Sequence, residues 1–298
     1  MTALPRGGGG APRIGLRYLL VSVTLFGGIW PITKHAIDAG ASSLWFALNR
    51  AALAALVSGL LLAALGRLRL PARADRPTVV AVGLLQIGSF FALAHLALDY
   101  VPAGRTAILG NVTVFWLIPL SVLVLGERVS PRQWWAAGIG LLGVAMLMAP
   151  WSLLSGATIG MLPGYVFLLA ASLAWSIAIL VTRRFPPTRP VLELLPWCFA
   201  LGALLILPLA LWRAPEGGLP REALWHALFV GAFAAPIGTW ATIEAGRRLS
   251  GVMTAVGFLL IPAMGVIVSH LWLDEALGWD IVLGGLLIGA SVWLASRG

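Results

Sequence analysis

Charge is scarce in this chain. Of 298 residues only 10% are Asp, Glu, Lys or Arg while 60% are hydrophobic, which leaves too little polar surface to cover a soluble globule. Lysine is all but missing: Lys34 is the only one among twenty basic residues. Cysteine is reduced to Cys198, inside an apolar run, which excludes an intramolecular disulfide and a cysteine metal cluster and leaves packing as its role. A Gly-x-x-x-x-Gly-Lys-Ser/Thr phosphate loop is absent, so the chain does not read as an ATP-driven pump. His-Glu-x-x-His and paired carboxylates near a span centre are also missing, which argues against an enzyme and against a bound metal or other cofactor.

What is present is apolar sequence in long runs. A bilayer crossing needs about 20 largely apolar residues, and that measure predicts ten spans, roughly at 17–37, 42–65, 78–98, 103–125, 132–149, 161–182, 192–212, 223–245, 250–273 and 279–296. Only helices fit these lengths, since no alternating barrel strands are visible. Residues 1–15 read as a flexible Gly/Pro-rich tail, and Arg13 and Arg17 ahead of the run Tyr18 to Trp30 as the start of an uncleaved first helix.

The formal charge of +9 is not spread along one solvated face, as a nucleic-acid binder would have it. Ten spans put Arg6, Arg13, Arg17, Arg67, Arg69, Arg73, Arg76, Arg128, Arg132, Arg183, Arg184, Arg189, Arg247, Arg248 and Arg297 on one side, fifteen of the twenty basic residues. The other side receives Lys34, Arg105, Arg213 and Arg221, and Arg50 lies within the second span. The positive-inside rule then places both termini in the cytoplasm.

The two halves match. A shift of 149 residues puts Phe26 on Trp175, Lys34 on Arg183, Phe91 on Trp240 and His95 on Glu244, and a shift of 148 puts Gly126-Glu127 on Asp274-Glu275. Gly140-Leu141-Leu142 falls on Gly285-Leu286-Leu287 in the same way. The expected fold is therefore an all-α membrane protein of ten helices in two five-helix repeats, 16–150 and 151–298. Five is odd, so the second copy is inverted, the architecture of secondary transporters.

Several linked motifs carry a family resemblance. Phe26-Gly27 through Lys34, Arg50, Ala97-Leu98-Asp99-Tyr100-Val101-Pro102-Ala103-Gly104-Arg105, Leu125-Gly126-Glu127-Arg128-Val129-Ser130, Ala174-Trp175 through Thr182-Arg183-Arg184, and Pro262 thirteen residues before Glu275 together resemble the duplicated EamA module of the drug/metabolite transporter superfamily. The run Asn111 to Pro119 is most similar to bacterial exporters of aromatic and neutral amino acids. The resemblance implies a multi-pass protein of the bacterial inner membrane that exports amino acids and related metabolites by alternating access through a cavity shared by both repeats. Proton-coupled efflux of drugs or other metabolites is the nearest alternative, and a membrane enzyme or scaffold the alternative of another class. Facilitated transport is expected over proton antiport, because Glu193 and Glu244 lie near inner helix ends and His95 towards the outer end of helix 3, not well inside the membrane.

The candidate substrate contacts are Trp30, Gln86, Phe90, Phe91, His95, Asn111, Trp175 and Trp240. The tryptophans read either as packing or as cavity wall, the repeat matches of Trp175 and Trp240 favouring the wall, although Trp240 lies near an inner boundary where interfacial Trp is common. Gln86 and Asn111 supply polar groups for a substrate amine or carboxylate. His95 and Glu244 sit at matching positions near helix ends, as pathway groups or as structural hydrogen-bond partners. Lys34 reads as a snorkelling side chain or as a gate at the outer mouth. Arg50, about eight residues or roughly 12 Å into its span, is expected to bond helix-end carbonyls or an acid. Glu127 and Glu275 are expected to cap helices 5 and 10. Ala136/Gly140 and Gly285/Gly289 have small-xxx-small spacing, which serves either packing of helices 5 and 10 on each other or a homodimer.

Overall fold

The computed structural model describes residues 11–126, 130–148, 159–249, 257 and 260–295, and among them every regular element is a helix. Helix α1 is Ala11–Asp38 and α2 is Ser43–Ala64. α3 runs without interruption through Arg76–Val80, Ala81–Ser89 and Phe90–Ala97. α4 comes in two pieces, Ala103–Leu109 and Thr113–Leu125. α5 is Pro131–Met148, α6 is Leu162–Arg184 and α7 is Val191–Arg213. α8 passes through Arg221–Leu228, Phe229–Ala234 and Ala235–Arg248, α9 is Leu260–Leu273 and α10 is Trp279–Ala295. These follow the ten predicted spans. The turn holding Glu127 lies outside the described residues.

The sequence marks many of these starts. Pro102, Pro190 and Pro220 directly precede α4, α7 and α8, where a proline's missing N–H and its restriction of the preceding residue cost nothing. In the middle of α3 and α8 the backbone widens to π-helix, over Ala81–Ser89 and Phe229–Ala234. Such turns are poorly bonded and recur at functional sites. Here they occur in two helices that match each other between the repeats.

Helices α5 and α10 pack on one another through small residues. A Cβ added at Gly143 would lie 2.7 Å from Ile288 and 2.9 Å from the Gly284 carbonyl, and one at Gly140 would lie 2.7 Å from the Ser291 hydroxyl. That hydroxyl donates to the Ala136 carbonyl at 2.6 Å. The stripe on α10 is therefore Gly284, Ile288 and Ser291, and not the expected Gly285 and Gly289; Gly285 faces Ile108, and nothing approaches Gly289 within 4 Å. Of the two roles expected of Ala136 and Gly140, they serve the packing of the two helices on each other, where close backbone approach is what such stripes supply.

Overpacking a tight contact costs about 1–3 kcal/mol. Gly143→Val should therefore lower the thermal midpoint of the purified protein by several degrees. Gly138, with nothing within 4 Å, should accept alanine without loss, and equal melting of the two variants would refute this account of the α5–α10 contact.

Candidate functional site

Four helices of each repeat, α1–α4 and α6–α9, meet around a cavity of about 320 Å³, within the about 300–1,000 Å³ usual for small-molecule pockets. Aromatic rings build its wall. Trp175 of α6 meets Phe90 of α3 edge-on at 4.8 Å, and Phe90 in turn meets Trp30 of α1 at 6.1 Å. Phe91 continues the wall towards Phe199 of α7 at 6.5 Å. Phe26 completes it on the α1 side, its ring lying where a Cβ at Gly238 of α8 would otherwise be.

Polar groups enter this wall at few points. Asn111 sits where α4 is broken between Leu109 and Thr113, and its Nδ2 donates to the Ala107 carbonyl at 2.7 Å, which leaves Oδ1 as an acceptor. The Thr113 carbonyl beside the break accepts a hydrogen bond from the Ser176 hydroxyl at 3.1 Å. Gln86 projects from the π-helical part of α3, and Thr239 and Thr242 from α8. Arg50 is the charged group. It is only 6% exposed, its guanidinium lies 3.9 Å from the centre of the Phe91 ring, and its Nε and Nη1 find no acceptor among the described residues. No acidic side chain lines the cavity among the described residues.

The cavity is closed towards the arginine-poor side. Ala36, Phe46, His95, Leu98, Val101 and Ala103, each at most 1% exposed, form a solid layer, and polar contacts join the two repeats beyond it. The Glu275 carboxylate accepts hydrogen bonds from the amides of Ala103 at 2.6 Å and Gly104 at 2.8 Å. Arg105 pairs with Asp280 at 2.5 Å and donates to the Tyr165 hydroxyl at 2.9 Å. His35 and His226 share a hydrogen bond of 2.8 Å, and the Trp45 indole donates to the Ala214 carbonyl at 2.8 Å. Asp99 accepts from the Ser43 hydroxyl at 2.9 Å. Burial raises the Asp99 carboxyl above the ordinary carboxylate range, against the pull of that hydroxyl and of the Lys34 and Arg213 charges.

On the arginine-rich side the cavity reaches Val82, Leu195 and Thr242. Val82 and Thr242 are each six residues, about 9 Å along a helix, from Arg76 and Arg248, and Leu195 lies in the first turns of α7, which starts just after Arg189. Contacts here fall into two groups. Ser22 of α1 bonds Thr242 of α8 at 2.7 Å, and Arg248 stacks over Tyr18. Separately, Arg67 pairs with Glu193 at 2.6 Å, and Asp75 accepts from the amide and hydroxyl of Thr188 at 2.7 and 2.8 Å, tying α2 and α3 to α7.

The EamA-like transporter family matches residues 13–149 and again residues 162–297. The chain belongs to that family. Among curated relatives, a probable terminal-alkyne amino-acid exporter of Streptantibioticus cattleyicolor is 23% identical over 94% of this chain and 92% of its own length. A probable amino-acid metabolite efflux pump of Escherichia coli is 26% identical over 68% of this chain and 71% of its own length. A solved crystal structure at 19% identity shares the fold with a TM-score of 0.63, covering 96% of this chain and 97% of that one.

Six of the expected contacts of this EamA chain come together at the cavity: Trp30, Gln86, Phe90, Phe91, Asn111 and Trp175. His95 does not reach it. The His95 ring is fully buried behind Phe91, with Nδ1 donating to the Phe91 carbonyl at 2.7 Å. Trp240 is 39% exposed and meets Tyr18 edge-on at 5.0 Å, away from the cavity. Lys34 donates to the Leu98 carbonyl at 3.1 Å and pairs with Asp38 at 2.9 Å on the arginine-poor face. Glu244 pairs with Arg248 one turn along its own helix. Arg50 bonds neither the carbonyls nor the acid expected of it among the described residues, and lines the cavity instead. Glu275 is a cap, but for α4 of the other repeat and not for α10. Cys198 is buried, in keeping with a packing role.

Hydrogen bonds to a charged acceptor are worth about 1.5–3 kcal/mol, and 1.4 kcal/mol is a factor of ten. Glu275→Ala should thus speed amide exchange at Ala103 and Gly104 about tenfold or more, with α2 amides unchanged as the control. Hydrogen exchange at the same rate in both proteins would show that this carboxylate does not hold the α4 terminus.

Proposed function

We propose that this transporter exports amino acids, aromatic ones among them, and related metabolites, by alternating access across the bacterial inner membrane. The observation that carries this reading is the aromatic-walled cavity with amide groups at Gln86 and Asn111 and no carboxylate among its described lining residues. A cationic drug entering it would meet the Arg50 guanidinium with no carboxylate to neutralise its charge. A flat apolar side chain is matched by Trp30, Phe90 and Trp175, which favour edge-on and offset ring contacts. The exporter and efflux-pump relatives support the same substrate class. On this reading the arginine-rich side is cytoplasmic, so the closed face is external and the cavity is placed to load from within.

Transport in this reading is facilitative. A proton-coupled carrier needs a titratable group that alternates its exposure within the membrane. Glu244 is paired with Arg248 near a helix end, and His95 is walled off from the cavity by Phe91. Neither position suits a proton exchanged against substrate.

Reconstitution into liposomes with a panel of labelled amino acids and tetraphenylphosphonium tests the proposal. The expected result is saturable flux of phenylalanine and its neighbours down their own gradients, unaltered in final extent by an imposed pH difference. Uptake of the cation alone would sink the substrate reading, and stoichiometric proton counterflow would sink the facilitative one.

A further inference from the structure

We propose that Arg50 is the carboxylate-binding residue of the cavity, so that the substrates are small molecules carrying a carboxylate next to a flat apolar group. This deepens the transport reading above and rests on it for the cavity being the substrate path. The burial of Arg50, its lack of a partner among the described residues and its place in the cavity wall together point to an anion-binding role. The guanidinium is buried in the middle of the protein, with Nε and Nη1 lacking any acceptor among the described residues. A charge in that position is stable only when paired or hydrogen-bonded. It forms no ion pair among the described residues, unlike Arg67, Arg105 and Arg248, each of which has a carboxylate partner. And it lines the cavity.

The neighbours hold it ready. The Phe91 ring lies beneath the guanidinium, its centre 3.9 Å from Cζ, a cation–π contact that holds the group in place without using its N–H donors. His95 anchors the same turn. Because a carbonyl only accepts, the bond from His95 to the Phe91 carbonyl puts a proton on Nδ1, and Nε2 is buried with no partner among the described residues, where a second proton would leave an unpaired charge. That ring therefore supplies no competing positive charge. A carboxylate on Arg50 would be held as a planar acceptor pair by a planar donor fork, the geometry in which Arg is most selective. The aromatic wall would then take the substrate's apolar part, and Asn111 Oδ1 is an acceptor for an ammonium where the substrate carries one.

Binding to the purified full-length chain separates this inference from the transport reading. Tryptophan fluorescence, with Trp30 and Trp175 in the wall, would be titrated with 3-phenylpropionate, its amide, phenylalanine, phenylalaninamide and phenethylamine. A charge-assisted hydrogen bond is worth about ten- to a hundredfold in affinity, so each acid should bind at least about tenfold tighter than its amide. The preference should fall to within about twofold in Arg50→Gln and survive in part in Arg50→Lys, which keeps the charge but not the fork. The acid-to-amide ratio on the unmodified protein decides the matter even where Arg50→Gln does not fold. Equal binding of acid and amide, binding of neither, or an acid preference undiminished in Arg50→Gln overturns the assignment. Arg50-dependent binding of 3-phenylpropionate without transport of any amino acid would keep the assignment and remove amino-acid export. Transport of phenylalanine and phenylalaninamide alike would do the reverse.

Discussion

Inside a bilayer every backbone carbonyl and amide must find its partner within the protein, and α4 departs from continuous helix between Leu109 and Thr113. The departure is tolerated because of its neighbours. Ser176 of the other repeat reaches the Thr113 carbonyl, and Asn111 turns back to the Ala107 carbonyl, so groups released by the break are answered by side chains. Irregular backbone at membrane depth is found where it borders protein or a cavity, and in transporters it marks the substrate site. Gly110-Asn111, the π turns of α3 and the walls of α1 and α6 all converge there. A continuous fourth helix would leave no broken turn at the cavity wall.

Closure on the arginine-poor side has a different character. Glu275 holds the start of α4, Arg105 holds Asp280, and His35 holds His226, so each bond crosses from one repeat to the other. All three lie at helix ends, where water is near. A carrier needs two states separated by only a few kcal/mol, and hydrogen bonds that water can replace contribute about 0.5–1.5 kcal/mol net, or about 1.5–3 kcal/mol where one partner is charged. A contact of this kind is firm in geometry and shallow in energy. The α5–α10 seam, closely packed around Gly143 and Gly284, has the opposite character and, on the proposed reading, suits a part that stays together while the rest moves.

Most of the architecture was legible because it rests on quantities a sequence carries directly: run length, charge asymmetry and self-similarity. Ten spans and an inverted duplication need no side-chain contacts to be seen. The aromatic and amide residues of the cavity were legible for a related reason, since polar groups at mid-span depth have few other roles. Arg50 was not, because depth shows only that a buried charge is costly. Which groups surround it depends on helices far away in sequence, and here Phe91 supplies a ring where helix-end carbonyls or an acid were expected. Glu275 was misplaced by one step of the same kind: a loop acid reads as the cap of the helix that follows, yet folding brings it to the start of α4. The small-residue stripe of α10 was off by one position, since Gly285 and Gly284 sit side by side in sequence but on different faces.

The repeat match also misled at Trp240, and the reason bears on how the protein works. Phe91 and Trp240 occupy equivalent positions, as do His95 and Glu244, but inversion puts the first of each pair near the closed face and the second near the arginine-rich one. Phe91 lines the cavity and His95 is packed in the layer behind it, at 5% and 0% exposure, while Trp240 stands 39% exposed against Tyr18. The π turns ahead of them differ in extent as well, Ala81–Ser89 against Phe229–Ala234, so matched residues are turned to different faces. Two inverted copies cannot both be closed around one cavity that is sealed on a single side. On the proposed reading, this inequality between equal positions is the asymmetry that alternating access exchanges, and a residue's place in the repeat then fixes which side it serves without fixing whether it touches substrate.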